Sequence, residues 1–277
     1  MPQIKRILFP VDFSPACSGA ARYAEALAGR FQADITVLHV VGDGEHNLAE
    51  TLIPQRKEKL NQFAAGDLRY FSTRVECQTA NDPAAAIVSE AKRSDADLIM
   101  IPSHGLGAFR RLLLGSVTAR VLHDAECPVW TSVHAETAPT LENVHCRKVL
   151  VAVDLSPRSR RIVEWAAWIA KEYDAELGIV HAAAPWPPAY YSGEAVFTEA
   201  IMNEGTNLVN ALKTDIGLEA EVFTGAGEPA QIVAGAAAEF GADLLVIGRH
   251  SGSETSHYLG QHAYSIIRSS PCPVISI

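Results

Sequence analysis

Apolar residues follow two periods along this chain. Short runs rich in Val, Ile and Leu alternate with longer segments whose apolar positions recur every three to four residues. In the first half the short runs fall at 7–12, 34–40, 72–79, 97–102 and 127–133; in the second, at 148–154, 175–181, 218–223, 242–248 and 272–277. Runs that are apolar on both faces predict strands covered on both sides. Parallel neighbours need crossovers, and crossover helices supply that cover. The pattern therefore predicts an α/β protein of two tandem Rossmann-like domains, each a five-stranded parallel sheet with helices on both faces. In such sheets ligands bind at the carboxyl ends of the strands, near the point where strand order reverses.

The two halves repeat each other. RILFPVDFSP (6–15) reappears as KVLVAVDLSP (148–157), 142 residues on, as Asp12 and Asp154 mark. The same offset carries ADITVLHV (33–40) onto AELGIVHA (175–182) and His39 onto His181. Later, ADLIMIPSHG (96–105) pairs with ADLLVIGRHS (242–251), and CPVWTSV (127–133) with CPVISI (272–277). Between the copies, HAETAPTLENVHCR (134–147) is polar, contains Pro139 and lacks a sustained apolar period. It reads as a linker, which sets the expected boundaries at 1–133, 134–147 and 148–277.

At 277 residues the length suits two domains, each able to bury a core. A formal charge of −9 gives no extended basic surface for a nucleic-acid backbone. No apolar stretch is long enough to span a bilayer, and Asp12 cuts short the opening apolar run, so no targeting segment is expected. Five cysteines without CxxC spacing fit reduced thiols in the cytoplasm, the expected location.

The chemistry concentrates after the fourth run. From Pro102 the first copy reads PSHGLGAFRRLLLGSVTARV: a strand end, a Gly-containing turn, then Gly115-Ser116 opening a helix. Gly105 and Gly115 would let the backbone come close to a ligand and take positive φ. Ser116 stands where unpaired N–H groups and the positive end of a helix dipole favour phosphate, and Ser116 and Thr118 add hydroxyls.

This arrangement resembles the universal stress protein family, whose nucleotide-binding members carry Gly, two residues, Gly, nine residues, then Gly-Ser or Gly-Thr after the fourth strand. Gly105, nine residues, and Gly115-Ser116-Val117-Thr118 match; Pro102 stands at the first Gly, fixing φ and removing one backbone donor. The resemblance runs through both copies and includes VDFSP, VDLSP, LHV, VHA and each CPV. It implies the adenine nucleotide alpha hydrolase-like variety of the fold and a stress-response or signalling module that binds ATP with Mg²⁺. It further implies that Pro10, Val11 and Asp12 border the adenosine and that Val40 offers main-chain groups to the adenine. Ile101, Pro102, Gly105 and the run Gly115, Ser116, Val117, Thr118 would enclose ribose and phosphates. Pairing between the two copies, a possible homodimer and an unidentified protein partner are also implied. The alternatives are a slow ATP hydrolase and a scaffold that has lost nucleotide binding. Asp12 has a second reading from its own position, as a turn or cap residue before a helix.

In the second copy Asp154 and Gly248 remain, but Ser251 replaces the next Gly and Gln261 follows Gly260, so a weaker phosphate site is expected there. The insertion 184–197 is rich in aromatics and proline and reads as a surface loop. Gly225-Ala-Gly-Glu-Pro-Ala230 fits GxGxxA but follows a third strand, so it is set aside as coincidence. His39 and His181 at strand ends read as hydrogen-bonded structural residues, and Cys127 and Cys272 as inert buried thiols. Arg110 and Arg111 read as a solvated face. There is no P-loop, no HExxH and no GxSxG.

Overall fold

A computed structural model describes residues 2–42, 49–68, 73–103, 114–183, 194–249 and 262–277. The chain divides into two compact units, Met1–His145 and Cys146–Ile277. In the first, strands β1 (Arg6–Pro10), β2 (Asp34–Val41), β3 (Thr73–Thr79), β4 (Leu98–Met100) and β5 (Val129–Thr131) alternate with helices α1 (Pro15–Phe31), α2 (Ala49–Asp67), α3 (Pro83–Arg93) and α4 (Ser116–Asp124). In the second, β6 (Lys148–Val153), β7 (Glu176–Ala183), β8 (Glu221–Ala226), β9 (Leu244–Ile247) and β10 (Val274–Ser276) alternate with α5 (Ser159–Tyr173), α6 (Glu194–Ile216), α7 (Pro229–Phe240) and α8 (Ala263–Ser269).

Strand order is β3-β2-β1-β4-β5 in one unit and β8-β7-β6-β9-β10 in the other, every neighbour within a unit parallel. The chain winds outward from β1 to β3, then crosses back to β4. Because such crossovers are right-handed, α1 and α2 cover one face and α3 and α4 the other. The strands are apolar on both sides for that reason: Leu8, Phe9, Ile35, Val37, Ile99 and Met100 are all fully buried.

Each copy uses the same aspartate to align its central strands. Asp97 accepts hydrogen bonds from the Lys5 and Arg6 N–H groups at 2.9 Å each, and Asp243 accepts those of Arg147 and Lys148 at 2.7 and 3.1 Å. Edge strand β3 is held by charge: the buried Glu90 on α3 takes Arg93 at 2.8 Å, which also reaches Glu76 on β3 at 3.0 Å.

The segment 134–147 is more than a tether. Two short 3₁₀ turns, Ala135–Thr137 and Leu141–Asn143, lie in it, and Ala135 is fully buried against α1. The close approach depends on Gly19, where a Cβ would fall 1.6 Å from the Ala135 carbonyl oxygen. Arg22 Nη1 donates to the Ala138 and Pro139 carbonyls at 2.6 and 3.3 Å.

Strand β8 begins three residues later than the apolar run at 218–223 predicts. Gly217, at φ 76°, caps α6 through bonds to Lys213 and Thr214, and this turn takes up the first residues of that run. Packing accounts for one glycine of the GxGxxA match: a Cβ on Gly225 would fall 2.8 Å from the Ile232 side chain on α7.

Candidate functional site

The crevice of the first unit opens where β1 and β4 part. They pair only at Ile7 with Leu98 and Leu8 with Ile99. Beyond that, Phe9 and Pro10 pair with β2, while β4 stays with β5, the Ile101 N–H donating to Trp130 O at 3.0 Å as that of Ile99 does to Pro128 O. The divergence places Pro10, Val11 and Asp12 on one lip and Ile101 and Pro102 on the other, at the carboxyl ends where strand order reverses.

Strand β2 outruns β1. The Val11 N–H donates to Leu38 O at 2.8 Å, and the Ala80 N–H to Val41 O at 3.0 Å on the other side. Main-chain groups alternate sides along a strand, so those of Val40 point toward β1. The last β1–β2 pair is Pro10 with Leu38, which leaves Val40's groups beyond the end of β1. His39 closes this corner. Its Nδ1 lies 2.7 Å from Val11 O, and a carbonyl can only accept, so Nδ1 carries the hydrogen. His181 does the same to Val153 O at 2.9 Å, as the structural reading of both histidines expects.

Asp12 serves the chain first. Its Oδ1 accepts the Ser14 N–H at 2.9 Å, closing a turn that puts Phe13 at φ 62°. Asp154 repeats this with Ser156 at 2.9 Å and Leu155 at φ 59°. A large side chain in the left-handed region is strained, and both copies hold it at the same place. Burial pushes the Asp154 carboxyl up, but hydrogen bonds from Ser156 and Ser159 outweigh it and hold the pKa below the ordinary value. The Phe13 ring lies between His39, with ring centroids 4.6 Å apart, and Lys59 on α2, whose Nζ is 4.3 Å from the ring centroid.

The turn that opens α4 is built differently from what the motif suggests. Gly115 takes φ −59° as the N-cap of α4, so its freedom at positive φ is not used. Its N–H donates to Ser103 O at 2.7 Å, pinning the two ends of the loop together. Thr118 is 4% exposed and its hydroxyl donates to Pro102 O at 2.9 Å, so it ties α4 to the chain just past β4. Ser116 is exposed and Val117 half-buried in the first turn of α4, ahead of the first intrahelical bond from the Ala119 N–H to Gly115 O. Gly105, His104, Arg110 and Arg111 lie outside the described residues, as do Ser251, Gly260, Gln261 and 184–193 of the insertion.

Sequence reasoning did not see Cys17. Its Sγ lies 3.1 Å from Asp12 Oδ1, and in the second copy Ser159 Oγ donates to Asp154 Oδ1 at 3.0 Å. The repeat offset of 142 residues aligns the two positions and could have flagged them.

These features define a duplicated Rossmann-like protein with a strand-end crevice in its first copy. The universal stress protein family model matches residues 3–132 and 145–277, and the chain belongs to that family. A universal stress protein of Thermus aquaticus is 33% identical over 141 residues, covering 47% of this chain and 98% of the relative. One from Methanocaldococcus jannaschii is 28% identical over 135 residues, 45% of this chain and 79% of the relative. Among solved structures, a universal stress protein of Archaeoglobus fulgidus superposes over 98% of this chain and 97% of its own, with a TM-score of 0.65 and 25% identity. A Pseudomonas aeruginosa structure, 17% identical, shares the fold over 99% of this chain and 93% of its own at a TM-score of 0.68.

Proposed function

We propose that this chain is an ATP-binding stress-response or signalling module, with the nucleotide held by the first copy and the second acting mainly as its built-in partner. The observation that carries this is the parting of β1 and β4 beyond Leu8 and Ile99, which brings Asp12, the main chain of Val40 and the first turn of α4 to one crevice. The nucleoside half suits an adenosine: Val40 offers main-chain donor and acceptor to the base edge, and Asp12 an acceptor to the ribose.

The phosphate half is leaner. Pro102 has no N–H, that of Gly115 is engaged, and the Thr118 hydroxyl is turned inward. Ser116 and the N–H groups of Ser116 and Val117 remain, at the helix end where the dipole favours an anion. Mg²⁺ would arrive on the phosphates, which supply most of its ligands in nucleotide sites. Bound there, it would neutralise phosphate charge.

The thinned phosphate half also favours a second reading, a scaffold whose site has been lost. Calorimetric titration of nucleotide-free protein with ATP and Mg²⁺ separates the two. Saturable heat at about one site per chain that falls in Asp12→Ala supports the binding module. No heat in wild type at millimolar ATP, together with heat in Pro102→Gly, supports the scaffold. ATP turnover unchanged in both Asp12→Ala and Ser116→Ala would argue against hydrolysis at this site.

A further inference from the structure

The two copies hold equivalent aspartates with different side-chain donors. In the second, the Ser159 hydroxyl reaches Asp154 Oδ1 at 3.0 Å; in the first, Cys17 reaches Asp12 Oδ1 at 3.1 Å. The surroundings match: Ser14 O accepts the Cys17 N–H at 3.0 Å, as Ser156 O accepts the Ser159 N–H at 2.9 Å. Ser14 Oγ lies 3.6 Å behind the sulfur and donates to it, so hydroxyl, thiol and carboxylate form one chain ending at the crevice.

We infer that Cys17 is the positioning residue for Asp12, its thiol fixing the carboxylate so that the second oxygen meets the ribose hydroxyls of the bound nucleotide. This rests on the nucleotide reading above. The thiol has a hydrogen to give: burial first, then the charge of Asp12, pushes its pKa up to about 12, so it stays protonated at neutral pH. It is also 1% exposed, which suits a fixed donor better than a reactive thiol. The other titratable groups nearby, His39 on β2 and Lys59 on α2, face the Phe13 ring. A structural cysteine filling a hole would need only its volume; this one also needs a donor, and the second copy keeps a donor in a side chain of another element.

The test compares wild type, Cys17→Ser and Cys17→Ala in the full chain, each titrated with ATP and with 2′,3′-dideoxyATP. Cys17→Ser keeps wild-type affinity for ATP. Cys17→Ala loses about ten-fold for ATP and nothing for the dideoxynucleotide, because only the ribose contact is misplaced. Equal losses for both nucleotides, or no loss for either, would overturn the inference. Wild type that binds no ATP would instead refute the nucleotide reading.

Discussion

An aspartate two residues before a serine can serve the chain, a ligand or both, and at Asp154 the chain's share can be measured. Its carboxyl titrates below the ordinary value of 3.8, so the folded state favours the ionised form. That contribution is present above the ordinary value and is lost as pH falls through the folded value. Asp154→Ala should therefore unfold at lower urea than wild type at pH 7, with the gap narrowing as the pH is lowered through 3.8. A gap constant across that range would show that the loss is packing, not charge. The thiols give a second check. Burial raises Cys17 and Cys146 to about 12 and Cys272 to about 11, so at pH 8 these three should resist alkylation in the folded protein and react once it is unfolded. Rapid labelling of any of the three in native protein, read by peptide mass, would contradict this. The motif Gly-Ser-Val-Thr was plain in the sequence, but the use of each group was not. The Thr118 hydroxyl bonds a carbonyl 16 residues away, and Gly115 adopts an ordinary φ, neither of which spacing encodes.

Parallel pairing, the alternation of strands with helices and the duplicated Asp-Ser turns were legible because both copies repeat them, and repetition separates constraint from chance. Strand ends were less so: β4 is Leu98–Met100 rather than 97–102, since β1 and β4 part there and pairing, not hydropathy, ends the ladder. The docking of 134–145 on α1 was hidden for another reason. Its signal is an absent side chain at Gly19, and a polar segment held by backbone contact has no apolar period to detect. Gly19→Ala should cost about 1–3 kcal/mol, because the methyl would strike the backbone at Ala135. Gly178→Ala is a useful contrast: its methyl would meet the Leu150 Cδ1 atom at 2.9 Å, the movable end of a side chain, so the cost should be smaller. Urea unfolding orders the two, and limited proteolysis near Pro139 should speed up only in Gly19→Ala. Equal destabilisation would mean that the segment shifts as easily as a leucine does.

Across the whole chain the two copies share a strand-end turn yet differ in what surrounds it. Both hold an aspartate, a left-handed residue and a strand-end histidine in the same geometry. Only the first has Gly-Ser opening the helix that follows its fourth strand; α8 is capped by His262 and begins at Ala263. On the proposed function, a duplication that keeps the aspartate corner twice and the Gly-Ser turn once predicts unequal sites. Asp12→Ala should weaken ATP binding by about 1.5–3 kcal/mol, roughly ten- to a hundred-fold, while Asp154→Ala leaves affinity and stoichiometry as in wild type. The two variants remove the same atoms from equivalent turns, so any general effect of disturbing the fold should appear in both, and only their difference reports the ligand. Equal weakening at about one site per chain would put the effect on the fold rather than on the ligand, whereas a stoichiometry near two that falls to one in Asp154→Ala would show that the second copy binds nucleotide without the Gly-Ser turn. Phosphate recognition in this chain would then have to come from groups other than Ser116.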